Sequence, residues 1–94
     1  MSLCIVETRC PSLGYRLGGL VWRACSVEGN GIDDPIWCYE TVEQAEAILD
    51  SEMSNLYELR EKDPKTGIIN MSGSQLGLDP VEFRITRLRM VDKS

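Results

Sequence analysis

The side chains able to do chemistry are of three kinds: four cysteines, fifteen carboxylates and a late run of arginines. There is no histidine, which excludes a Ser-His-Asp or Cys-His nucleophilic site and a histidine-bearing zinc site. No two of Cys4, Cys10, Cys25 and Cys38 are separated by two residues, so neither a redox pair nor a zinc knuckle is spelled out. Cys4, Cys25 and Cys38 sit in apolar runs, which suits inert buried thiols. Cys10, beside Arg9 and before Pro11, is the thiol expected at the surface, and the one through which a catalytic or redox role would run. A four-thiolate metal site would need all the cysteines to converge from scattered positions, so no metal and no cofactor is expected.

Lysines offer no better nucleophile, because none lies in an apolar run that would lower its pKa. Gly18-Gly19 lacks the lysine and following helix of a phosphate-binding loop. Carboxylates on a solvated helix side lack the burial that tunes a catalytic acid or base. The chain is therefore expected not to be an enzyme.

What the charges do show is sorting by position. Residues 1–27 carry Arg9, Arg16 and Arg23 against Glu7. Residues 28–64 carry eleven acids against Arg60 and Lys62. Residues 65–94 carry Lys65, Arg84, Arg87, Arg89 and Lys93 against Asp79, Glu82 and Asp92. The segments are thus +2, −9 and +2, within a net −5 for 94 residues. A small body with opposite poles projects a field that steers partners. The acidic balance, with a pI near 4.6, argues against general binding to nucleic-acid backbones.

Elements must place those charges. Residues 3–8 read as a strand rich in β-branched types. Leu20–Val27 reads as a second strand, broken upstream by Gly18-Gly19, with Trp22 and Ala24 on one side and Val21, Cys25 and Val27 on the other. Ile36–Glu40 is expected to pair with it as a hairpin across the Gly29–Pro35 turn residues. The strongest local signal is an amphipathic helix over about 42–62. Thr41 and Gln44 form a capping box. Val42, Ala45, Ile48, Leu49, Met53, Leu56 and Leu59 fall on one arc, and Asp63-Pro64 is read as the stop. Glu52 falls inside that arc, so it must reach an edge or find an arginine such as Arg23 or Arg84.

Residues 65–80 read as a long Gly/Ser-rich loop, with a short strand at Ile68, Ile69 and Met71 and with Leu76 and Leu78 tucked inward. Residues 81–91 form the last strand. Val81, Phe83 and Ile85 alternate with Glu82, Arg84 and Thr86, then the apolar phase shifts to Leu88 and Met90. A bulge near Thr86-Arg87 would restore the apolar face and leave Arg84, Arg87 and Arg89 together outside. Trp22, Trp37 and Tyr39 are expected in the core. The fold class is α+β: one domain over 1–94, a small antiparallel sheet of four or five strands with the helix across one face.

Two surfaces follow. The acidic helix side, Glu43, Glu46, Asp50, Glu58 and Glu61 with Tyr57 as an aromatic anchor, would engage a partner protein with a basic surface. Occluding a surface that ordinarily binds nucleic acid is one use of such a side. Small acidic inhibitors encoded by mobile elements, of the anti-CRISPR kind, are similar in charge and size, not in sequence. The expected role is a protein-binding module of the inhibitor or adaptor type. The alternative is a small-ligand or nucleic-acid binder using Arg84, Arg87 and Arg89 with the 65–80 loop. Direct nucleic-acid binding would want exposed aromatics among those arginines, and only 6% of residues are aromatic. Arg84, Arg87 and Arg89 are otherwise expected to pair with Glu7, Glu28 or Glu82 across strands. No segment resembles a signal peptide or a membrane span, so a cytoplasmic protein without a membrane partner is expected. Opposite poles and a free edge on the last strand leave monomer and homodimer balanced.

Overall fold

Alternation places β1, Ser2–Arg9, with Cys4 and Val6 inward and Leu3, Ile5, Glu7 and Arg9 on the opposite face. In the computed structural model, which describes residues 2–25 and 38–89, this strand lies near the middle of a five-stranded antiparallel sheet. The other strands are β2 (Arg23–Ala24), β3 (Leu59–Lys62), β4 (Ile69–Ser72) and β5 (Val81–Arg89), in the order β2-β1-β5-β4-β3. One helix, α1 (Val42–Met53), packs on β1 and β5. The α+β class is therefore that of the molecule. No helix among the described residues is long and apolar enough to cross a membrane.

The helix starts where the sequence places it. Gln44 N–H donates to Thr41 Oγ1 (3.1 Å), and the Gln44 amide oxygen accepts from Glu40 N–H (3.3 Å). This is the reciprocal arrangement that satisfies free donors at a first turn. Ala45 and Leu49 are buried against Val6, Tyr39, Ile69, Met71 and Phe83.

The helix ends at Met53, nine residues early. Ser54 and Asn55 are weak helix formers, and the chain turns through Leu56 N–H and Tyr57 N–H, both donating to Met53 C=O. Leu59–Lys62 then forms β3, paired with β4 from Leu59↔Ser72 to Lys62↔Ile69. Asp63-Pro64 is the hairpin turn rather than a helix stop: Asp63 Oδ1 accepts from Lys65 N–H (2.8 Å), Asp63 C=O accepts from Gly67 N–H (2.8 Å), and Gly67 takes φ 76°. The same Asx-Pro chemistry serves either purpose locally; the tertiary pairing decides.

Two further expectations are corrected. Residues 20–22 are not part of a strand. Single 3₁₀ turns at Pro11–Leu13 and Tyr15–Leu17 precede β2, which holds only Arg23 and Ala24. The 20–28/36–40 hairpin is not formed by the described residues: Ala24 pairs with Glu7 and Tyr39 bridges Cys4, so both segments line the same side of β1. Val27, Ile36 and Trp37 lie outside the described residues.

β5 runs without a bulge. Its register against β1 is continuous from Glu82↔Arg9 through Arg84↔Glu7, Thr86↔Ile5 and Arg87↔Cys4 to Arg89↔Ser2. Opposed residues share a face. Phe83, Ile85 and Arg87 therefore face the α1 side, and Glu82, Arg84, Thr86 and Leu88 the other. Leu76 and Leu78 are exposed rather than tucked in. β5 pairs with β4 only over Val81–Phe83, so among the described residues its later stretch has no strand beside it on that side; β2 and β3 are the outer strands of the sheet.

Candidate interaction surfaces

The acidic residues divide between three places. On α1, Glu46 accepts from Arg60 (Nη2, 2.9 Å) and Lys62 (Nζ, 3.0 Å), and Asp50 Oδ1 lies 2.6 Å from Arg60 Nε. These pairs tie the helix to β3, because Arg60 and Lys62 share the face of Met71 and Ile69. Glu43 and Glu52 on α1, and Glu40 just before it, are exposed, and among the described residues none of their carboxylates has an ion pair. Glu52 thus reaches solvent instead of an arginine. Tyr57, Glu58 and Glu61 are not on the helix: the first two lie in the connection after it, and Glu61 is on β3. Glu61 faces the side of the sheet away from α1, in a row with Asn70 and Glu82.

Tyr57 is held by the fold. Its hydroxyl donates to Asp79 C=O (3.1 Å), and its pKa is raised by burial, with Cys10 and Asp79 adding to the effect. Its ring lines an open concavity of about 530 Å³ with Met53, Leu59 and Met71, rimmed by Asp50, Glu58 and Arg60. Glu58 accepts from Gln75 Nε2 (2.5 Å).

The arginines do not gather on one face. Arg84 points away from α1, and Arg87 is exposed on the α1 side. Arg89 extends the pairing to Ser2, but its side chain lies outside the described residues. The three-arginine surface expected from a bulge is therefore not formed by Arg84 and Arg87.

Arg84 instead makes the cross-strand pair with Glu7 that is the other expectation for it, within a group whose aromatic member, Trp22, the sequence did not suggest. Arg84 Nε donates to Glu7 Oε1 (2.8 Å), which also accepts a short hydrogen bond from Thr86 Oγ1. The Thr86 bond first, then the Arg84 bond and charge, hold the Glu7 carboxyl below its ordinary pKa against a contrary effect of burial. Arg9 Nη2 pairs with Glu82 (3.1 Å). Both arginines lie over the Trp22 ring, Arg9 Cζ at 4.6 Å and Arg84 Cζ at 4.5 Å from its centroid. Trp22 is thus not in the core. It clamps the approach to β2 on the open face of the sheet.

Exposed apolar side chains also show a pattern. Leu13, Tyr15 (87% exposed), Leu17 (69%), Leu20 and Val21 lie between β1 and β2. Leu76 and Leu78 lie between β4 and β5, and Leu59 opens β3. The registers put all these segments at the same end of the sheet. Hydrogen bonds join them: Cys10 Sγ donates to Pro80 C=O (3.4 Å), and Glu58 N–H donates to Gly73 C=O (3.3 Å). The signal that could have found this end is Pro11, Gly14, Gly18 and Gly19 within nine residues, which is turn chemistry.

Thiol exposure is reordered. Cys4 is buried, Cys10 and Cys25 are half-buried, and Cys38 is exposed; all four are free. Burial pushes the Cys25 thiol up. Cys10 Sγ also contacts Ser12 Oγ (3.3 Å), and neither this nor the Pro80 carbonyl is a base able to take its proton. Among the described residues no three Cys, Asp or Glu side chains converge where a metal ion could sit. No protein-family model, no curated protein and no solved structure matches the chain.

Proposed function

We propose that this chain is a non-catalytic protein-interaction module, of the inhibitor or adaptor type, that engages a positively charged partner surface with the solvent side of α1. The observation that carries the reading is the division of labour among the helix acids. Glu46 and Asp50 fasten the fold, whereas Glu40, Glu43 and Glu52 face solvent. Carboxylates not engaged within the fold keep their field for a partner. Glu58 continues the acidic side past the helix end. A partner surface that ordinarily binds nucleic acid has the charge this side would meet. Four free thiols accord with a reducing, cytoplasmic setting for such a role.

The test is affinity capture at about 50 mM and about 500 mM salt, where the screening length falls several-fold. The expected result is a partner retained only at low salt, and lost from the Glu43→Lys/Glu52→Lys variant. Both sites are exposed and outside the ion pairs, so the variant should melt like the parent. Retention that ignores salt and both substitutions would overturn the reading, as would retention of nothing.

A further inference from the structure

We propose that the 13–21 loop is a preorganised docking surface for a protein segment that presents an apolar side chain flanked by carboxylates. This goes beyond the acidic helix side and does not rest on it, because it uses another part of the molecule and the opposite charge.

Five apolar side chains, Leu13, Tyr15, Leu17, Leu20 and Val21, are exposed within nine residues. Scattered exposed leucines are ordinary, but a contiguous group of this kind marks a contact surface. A flexible loop could hide such side chains by folding back on itself. This one is fixed. Leu13 N–H donates to Cys10 C=O, Gly14 N–H to Pro11 C=O, Gly18 N–H to Tyr15 C=O, Gly19 N–H to Gly14 C=O and Val21 N–H to Gly18 C=O. Gly14 and Gly18 take φ near +75° and +70°, and a Cβ on Gly19 would stand 2.2 Å from Cys10 C=O. The Trp22 clamp holds the loop's exit on the sheet. A surface held in its bound shape loses little freedom on binding.

The fixed loop also borders an open concavity of about 250 Å³ lined by Leu13, Leu17, Val21 and Val81, with Arg23 at its wall. That volume suits one side chain, which favours a protein anchor. The charge is equally specific. Residues 8–25 hold no acid, and Arg16 and Arg23 are exposed. An apolar anchor beside Asp or Glu complements both features. An anionic lipid surface is a poorer fit, since two exposed arginines must overcome a net charge of −5.

The experiment is selection of a random-peptide display library on the full chain, followed by anisotropy with the synthesised consensus peptide. The expected consensus joins an aliphatic or aromatic residue to Asp or Glu. Arg16→Glu, Leu17→Glu and Tyr15→Ser should each weaken that peptide about tenfold or more, and Glu43→Lys should not. All three loop side chains are exposed, so the melting temperature should hold; if one variant unfolds, the other two decide. A basic consensus, no consensus, or binding indifferent to the loop changes overturns the proposal. So does sedimentation with phosphatidylserine vesicles in place of peptide binding, which would assign the loop to a membrane. Self-association lost in Leu17→Glu would assign it to a second copy and overturn it too.

Discussion

The Arg84 guanidinium carbon stands 4.5 Å from the centroid of the Trp22 ring, on the face of the sheet that α1 leaves open. Arg9 makes the same contact at 4.6 Å, so one indole is shared by two cations that Glu7 and Glu82 neutralise. The ring thereby fixes the short β2 segment against β1 and β5. Replacing Trp22 with alanine removes both contacts and should cost about 1–2 kcal/mol. Trp22→Phe should recover part of that. Chemical denaturation of the three proteins checks the order; equal midpoints for Trp22→Ala and the parent would show the contact to be ornamental.

Acid stability should depend on Glu7. Its carboxyl is held below the ordinary value near 4.5 by the Thr86 hydrogen bond and by Arg84. A depressed carboxylate adds stability above the unfolded-state pKa, and that stability fades as pH falls through the folded-state value. Glu7→Gln should therefore destabilise the protein near neutrality and flatten the loss below about pH 4.5. Thr86→Val should shift the acid limb to higher pH. Melting curves from pH 3 to 7, on the order of one every half unit, read both. An acid limb unchanged in Glu7→Gln would assign acid sensitivity to other carboxylates.

Gly19 is a packing requirement as much as a turn residue. An added Cβ would lie 2.2 Å from a backbone oxygen and 2.9 Å from Leu13 Cβ, and backbone cannot swing aside as a long side chain can. Gly19→Ala should cost about 1–3 kcal/mol, with faster amide exchange at Gly14 and Val21. Gly77→Ala, where a Cβ meets nothing within 4 Å but φ is 76°, should cost only the smaller strain of that backbone region.

Self-pairing of β3 is discouraged by charge. A two-fold axis perpendicular to the sheet keeps each face on its own side, so paired residues must share parity. Centring on residue 61 sets Glu61 against Glu61 and Arg60 against Lys62; centring on residue 60 sets Arg60 against Arg60. Like charges directly opposite destabilise a strand pair. Glu61→Val should therefore raise self-association in sedimentation velocity runs. A Glu61→Val protein that sediments as the parent does at every concentration would remove charge as the guard of this edge.

Much of the framework is legible from local rules. The capping pair Thr41 and Gln44, the alternation of Val81, Phe83 and Ile85, and Ile69 with Met71 all act where the spacing puts them. Several of the differences share one cause, which is that an apolar residue need not be an inward one. Leu56 and Leu59 happen to continue the helical period, yet Leu59 is exposed on a strand. Leu88 suggested a bulge, yet it stands exposed on a straight strand while Arg87 takes the inward phase near the strand's end. Leu20 and Val21 read as strand, and they belong to the exposed loop. Of the candidate surfaces, the solvated Glu43 was visible in the sequence. The engagement of Glu46 and Asp50 was not, because it depends on a strand pairing that places Arg60 and Lys62 beneath the helix.

The pairing of β1 with β5 joins residues separated in sequence by between 73 and 87 positions, as in Arg9↔Glu82 and Ser2↔Arg89. β1 cannot complete this pairing until the more than seventy residues between the partners have been made. Closing so large a loop is slow and leaves sticky surface available to chaperones in the meantime. Folding of this domain should thus be governed by the arrival of β5.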